Sequence, residues 1–226
     1  MKATQVKDAG RNISKQIVSY LSVIVIAMLA VSAFLGIEFA AKAISDNGTG
    51  FYAATNYRDV QIISTKLLTT EDIEAIRSVE GVSEVEGVYR INAKVFIQDK
   101  VSDVSVVSLT QRVNTVRVIE GRLPAAVNEC VLEKSVDEDT GLTIGDTITV
   151  LDSEGNTPQY LKKSEYVITG IVYHPDHAAI PLITPGSRYV LVMPEAFDTE
   201  ALEDCFMTAE VVISKPEGID IKTLLV

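Results

Sequence analysis

Residues 17–37 read IVSYLSVIVIAMLAVSAFLGI, twenty-one positions without a charged side chain. As a helix rising about 1.5 Å per residue, the stretch covers about 31 Å, the thickness of a bilayer's hydrocarbon core. Apolar side chains occupy every face, unlike the one-sided stripe of a soluble core helix. Ser19, Ser22, Ser32 and Gly36 are small residues of the kind that let another membrane helix pack closely. The pattern predicts a membrane-spanning helix.

The flanks orient it. Residues 1–16 carry Lys2, Lys7, Arg11 and Lys15 against Asp8, a net charge of +3. The whole chain totals −11, so everything after residue 16 sums to −14. Basic flanks stay on the cytoplasmic side, which places the N-terminus inside and the main domain outside. A cleaved secretory signal peptide is the competing reading, because Ala41-Lys42-Ala43 has the small-x-small form of a cleavage site. The apolar stretch is longer than the roughly 7–15 residues usual in such peptides. Glu38 and Lys42 are spaced for a helical ion pair and Ala40, Ala41 and Ala43 favour helix, so a stalk is expected to residue 45. The turn-rich Asp46-Asn47-Gly48-Thr49-Gly50 is expected to break it.

Composition narrows the class. With 13 Gly, 7 Pro and 2 Cys in 226 residues, collagen, a disulfide-stapled miniprotein and a disordered tail are excluded. The acidic balance argues against a nucleic-acid partner, since neutralising phosphates takes a basic surface.

Beyond the break, residues 59–65 read as a strand and residues 70–79 as a short helix capped by Thr70 and ended by Gly81. Strands are expected at 82–89, 90–97 and 101–109, which makes the opening unit β-α-β. Residues 113–194 look strand-rich, with strands at 129–132, 147–151, 166–172 and 189–193. Residues 209–215 form a last strand, before a helix beginning near Pro216. Ile62-Ile63-Ser64 followed by a helix is echoed by Val212-Ile213-Ser214 followed by another. Two β-α halves around an inserted β subdomain give a split α+β sheet of the ferredoxin-like kind, whose second half is incomplete here.

No phosphate-binding glycine loop, serine elbow or zinc-protease motif occurs. His174-Pro175-Asp176-His177 is the one histidine cluster and reads as a solvated loop rather than a metal site. Cys130 reads as a small buried hydrophobe, and a disulfide to Cys205 is left open. Asp137-Glu138-Asp139 reads as a solvated turn. No catalytic, cofactor-binding or metal-binding residues are assigned, and the chain reads as a binder or transmitter rather than an enzyme.

The order of segments resembles a known family. The basic lead-in from Lys7 to Lys15, the single span, Asp59-Val60-Gln61-Ile62-Ile63 with its helix, and Val79-Glu80-Gly81-Val82 resemble the start of the MacB-like, FtsX-like ABC transporter permeases. Ile119-Glu120-Gly121-Arg122-Leu123-Pro124, Gly141-Leu142-Thr143-Ile144-Gly145-Asp146 and Tyr166-Val167-Ile168-Thr169-Gly170-Ile171-Val172 are similar to that family's extracytoplasmic domain. The resemblance runs from about residue 7 to residue 215. It implies an α+β, porter-like split β-α-β domain with an inserted β-rich subdomain behind one N-terminal transmembrane helix. The divisions are residues 1–16 as a cytoplasmic lead-in, 17–45 as span and stalk, 46–112 as the first porter-like half, 113–195 as the insertion and 196–226 as the second half. It further implies a plasma-membrane permease subunit, truncated here before its remaining membrane helices. Its partners would be a cytoplasmic ABC ATPase, membrane lipid, those remaining helices and a second permease in a homodimer or heterodimer. ATP-driven movement would be relayed to act on an amphiphilic, lipid or peptide substrate. A single-span sensor with a ligand-binding ectodomain and a secreted enzyme are the other classes considered.

The orientation is directly testable. A cysteine introduced as Asp46→Cys should react from outside with an impermeant thiol reagent, and one introduced as Lys7→Cys should not. The reverse pattern would overturn it.

Overall fold

The structure, a computed structural model, describes residues 17–97, 100–177 and 188–214. The first element, α1, spans Ile17–Ala54 and is exposed along almost its whole length. It continues without interruption through residues 46–50, where the sequence suggests a break. Gly48 and Gly50 each cost only about 1 kcal/mol in a helix. Local bonds offset part of that cost: Thr49 Oγ1 donates to Ser45 O at 2.9 Å, and Lys42 pairs with Asp46 at 3.2 Å rather than with Glu38. The helix ends at Asn56, whose φ of 45° is the left-handed conformation that asparagine tolerates. Tyr57 N–H donates to Tyr52 O and Asn56 N–H to Ala53 O, the paired bonds of a Schellman cap, and the Tyr52 and Tyr57 rings pack at 4.7 Å.

Among the described residues the helix is followed in sequence by ten strands: β1 (Val60–Leu68), β2 (Val82–Val88), β3 (Arg90–Ile97), β4 (Lys100–Ser108), β5 (Arg117–Gly121), β6 (Glu129–Glu133), β7 (Thr147–Leu151), β8 (Glu165–Tyr173), β9 (Arg188–Val192) and β10 (Phe206–Ile213). Two short helices accompany them, α2 (Thr70–Arg77) and α3 (Lys134–Thr140). The cap of α2 is Thr69, not Thr70. Thr69 Oγ1 accepts from Asp72 N–H at 3.1 Å while Asp72 Oδ2 accepts from Thr69 N–H at 2.9 Å, a reciprocal capping box.

The strands form two sheets. The smaller has the order β1-β10-β2, antiparallel throughout, and buries Leu68, Val85, Ala209 and Val211 with Ile73 of α2. The two strands that echo each other in sequence are thus direct neighbours, with Val60 opposite Val211. The larger sheet has the order β5-β8-β6-β9-β4-β3-β7, and β7 also pairs with β8. That last pairing closes six strands into a ring around Val95, Val106, Leu132, Ile148, Tyr166 and Phe197, with β5 laid along the part of the β8 edge that β7 leaves open.

Several sequence expectations change. β3 and β4 belong to the larger sheet and not to the half that holds β1 and β2. β5 occupies a segment for which no separate strand is expected, and the acidic run at 137–139, read as a turn, lies within α3. The helix expected from Pro216 falls outside the described residues.

Gly121 and Gly170 face each other where β5 crosses β8. Gly121 has φ +75°, and a Cβ there would lie 2.2 Å from Thr169 O; one on Gly170 would lie 2.6 Å from Arg122 O. Backbone cannot yield to such contacts as a flexible side chain can. Gly121→Ala is therefore expected to destabilise the fold by about 2 kcal/mol or more, read as a lowered urea midpoint by circular dichroism. Gly141→Ala, whose Cβ would meet open space, carries only the backbone cost of its φ of +69° and should lose less.

Candidate functional site

Charged side chains concentrate where the residues following α1 meet both sheets. The Schellman turn aims the chain from Asn56 into β1 and places Arg58 at its start. Asn56 O and Thr55 O accept from the N–H groups of Asn114 and Thr115 at 2.9 and 2.8 Å, and Asn56 Nδ2 donates to Arg112 O at 2.7 Å. The loop making these bonds is itself fixed by one carboxylate. Glu86 of β2 accepts from the N–H groups of Gln111, Arg112 and Val113 at 2.9–3.1 Å.

Arg58 reaches two acids from different sheets. Its Nη1 lies 2.7 Å from Asp176 Oδ1, in the turn Pro175–His177 after β8, and its Nε lies 3.0 Å from Glu210 Oε2, on the middle strand of the smaller sheet. Nη1 and Oε2 lack the alignment of full hydrogen bonds, so these contacts act chiefly as ion pairs. Gln61 Nε2 donates to Glu210 Oε1 at 2.8 Å. Asp176 also accepts from Asn114 Nδ2 and Tyr189 OH, both at 3.2 Å, and lies 3.7 Å from Arg90 Nη2. Arg90 in turn lies over the Tyr189 ring at 4.9 Å.

The histidines flank this cluster. His174 is only 4% exposed, and its Nδ1 accepts from Asp176 N–H at 3.2 Å. His177 Nδ1 lies 2.5 Å from Glu133 Oε1, while Glu133 Oε2 accepts from Tyr189 N–H at 3.2 Å. The solvated-loop reading of this segment is therefore incorrect: Arg58, Arg90 and Glu133, each from a distant strand or strand start, draw it into the interior. Among the described residues no set of three or more His, Cys, Asp or Glu side chains converges as metal ligands. Cys130 is fully buried in β6, as the sequence suggests, and burial pushes its thiol pKa far up; it and Cys205 are both free thiols.

Burial and charge act in opposite directions on the acids. Burial would raise Asp176, but His174 and the Arg58 guanidinium outweigh it and hold the carboxyl below its usual range. For Glu210 burial wins over Arg58, and its pKa rises. Burial lowers His174 to about 3, so the ring is neutral, as its acceptor role requires. The arrangement holds no nucleophile beside a base. Its chemistry is that of an electrostatic joint.

A family model described as the MacB-like periplasmic core domain matches residues 19–217, and the chain belongs to that family. The resemblance carried by the sequence motifs therefore holds, and the N-terminal apolar helix fits it. Among solved structures, the extracellular domain of the noncanonic ABC-type transporter YknZ from Gram-positive bacteria is 14% identical, with a TM-score of 0.46 over 71% of this chain and 79% of that one. The periplasmic region of MacB from Actinobacillus actinomycetemcomitans is also 14% identical, with a TM-score of 0.38 over 70% of each chain. A search of curated proteins found no match.

The neutral state of His174 has a pH signature. Below about pH 6.5 the unfolded chain takes up a proton there that the folded chain refuses until about pH 3, so this group's contribution falls as pH drops through that window. The slope from one proton is at most about 1.4 kcal/mol per pH unit. His174→Asn, which keeps an acceptor near the position of Nδ1, should lose that share of the slope. Urea midpoints at about pH 7.5 and about pH 5 measure it.

Proposed function

We propose that the chain is the extracytoplasmic and first membrane-spanning part of an ABC transporter permease, a non-enzymatic transmitter of movement. On this reading α1 anchors it in the plasma membrane with the N-terminus cytoplasmic, and a separate cytoplasmic ATPase supplies the energy. Further permease helices and a second permease subunit complete the assembly. The substrate class is an amphiphilic molecule, lipid or peptide, handled outside the membrane.

One observation carries the reading. The apolar span and the cap at Asn56 belong to a single unbroken helix, and the residues directly after that cap are tied by backbone bonds and ion pairs to both sheets. The break expected at 46–50 does not interrupt the helix. Family membership supports the same role. The order β1-β10-β2 supports the porter-like split as well: β1 and β2, joined through α2, are held apart by an antiparallel strand from the other end of the chain.

The complete permease, purified from membranes in mild detergent, should bring down an ABC ATPase. Association absent from both detergent extracts and native-lipid nanodiscs would sink the proposal. Ala43→Pro, at a site where proline costs a helix about 3 kcal/mol, should leave that association intact. It should abolish any ATP-dependent change in protease sensitivity of the outer domain.

A further inference from the structure

Besides the Glu86 carboxylate that gathers the loop after β4, two unlike contacts join the sheets. The first is apolar and lies at a chain crossing. Tyr89 is the single residue between β2 of the smaller sheet and β3 of the ring, and its ring stacks on Phe197 at 5.1 Å and on Phe206 at 5.0 Å. Its backbone is pinned as well, since Ser108 N–H donates to Tyr89 O at 2.9 Å and Tyr89 N–H donates to Ser108 Oγ at 3.0 Å. The second contact is the ionic cluster, where Arg58 bridges Glu210 of the smaller sheet and Asp176 of the ring.

These contacts respond differently to strain. A packed aromatic stack tolerates a small rotation about the chain that passes through it and keeps most of its buried area. A buried ion pair has no such tolerance: it is made, or its charges must find water or other partners. Arg58 does not satisfy the cluster fully. Arg90 Nε and Asn114 Oδ1 are buried without a hydrogen-bond partner among the described residues. Polar groups left over in this way lower the cost of an alternative arrangement relative to a fully bonded network.

We propose that Arg58 is the bolt of a releasable clamp between the two sheets, which swing about Tyr89 when the guanidinium leaves Asp176 or Glu210. Arg58 follows α1 by four residues, so the bolt lies close to the end of that helix. The inference goes beyond the transporter reading and stands whether or not an ATPase is the partner. It names Arg58 as a positioning residue whose loss changes the population of sheet arrangements, and not only the stability of one.

Spin labels test it on the full chain in lipid nanodiscs. Glu71→Cys on α2 and Glu120→Cys on β5 are both exposed and touch no member of the cluster, and Cys205→Ser removes the half-exposed native thiol. With Arg58 in place, electron–electron distances should show one narrow population. Arg58→Gln should raise a second, longer population from below about 1% to about 10% or more. Asp176→Asn, which loosens the ring side alone, should raise it too, and it decides the matter if Arg58→Gln does not fold. A single unchanged distance in the folded variants, with only a lowered melting temperature, would overturn the clamp and leave the ATPase question untouched.

Discussion

Arg58 lies two residues past the left-handed turn that ends α1, and its guanidinium is shared between carboxylates of two different sheets. An arginine so placed cannot be removed quietly. Taking one partner from a buried ion pair leaves the other charge uncompensated, at a cost of about 3–5 kcal/mol. The surrounding polar groups follow from that constraint. Asn114, Gln61 and Tyr189 turn their donors toward the two acids, and His174 stays neutral so that it can accept from the backbone of Asp176. The turn after β8 is thereby buried although its sequence is polar.

The same constraint explains why the loop at 110–115 is so heavily bonded. It must present Asn114 to Asp176 while receiving the backbone of Thr55 and Asn56. Asn114 achieves this with a φ of 58°, and three N–H groups of the loop are gathered by Glu86. Glu86 and Glu210 are paired across adjacent strands, so the smaller sheet offers two neighbouring acids, one to the loop and one to Arg58. Like charges side by side are unfavourable in a sheet. Here each has its own set of donors.

Hydropathy alone disclosed the long apolar helix, because twenty-one residues without a charge leave no polar face. The alternating or continuously apolar strands β3, β7, β8 and β9 were legible for a related reason: each buries one face or both in the ring. β5 was not, since all five of its residues are exposed and impose no alternation. The end of α1 was misplaced because local glycine and asparagine penalties are small beside the continuity of a long helix. The ion cluster was hidden altogether. His174 and Asp176 look solvent-loving in sequence, and only the fold brings Arg58, Arg90 and Glu210 to them. A hint was present in the lone arginine directly before an apolar strand, but its partner could not be read from spacing.

The two sheet orders share a property that bears on how the protein is made. β10 lies between β1 and β2, and β9 lies between β4 and β6, so each sheet takes an inner strand from a part of the chain synthesised after the strands that flank it. Until Arg188–Val192 and Phe206–Ile213 emerge, β1 and β2 lack their shared partner and β4 and β6 each have one edge open. Assembly of the head thus comes late. In that interval the nascent chain presents apolar strand edges without their final partners, which makes it a natural client for chaperones.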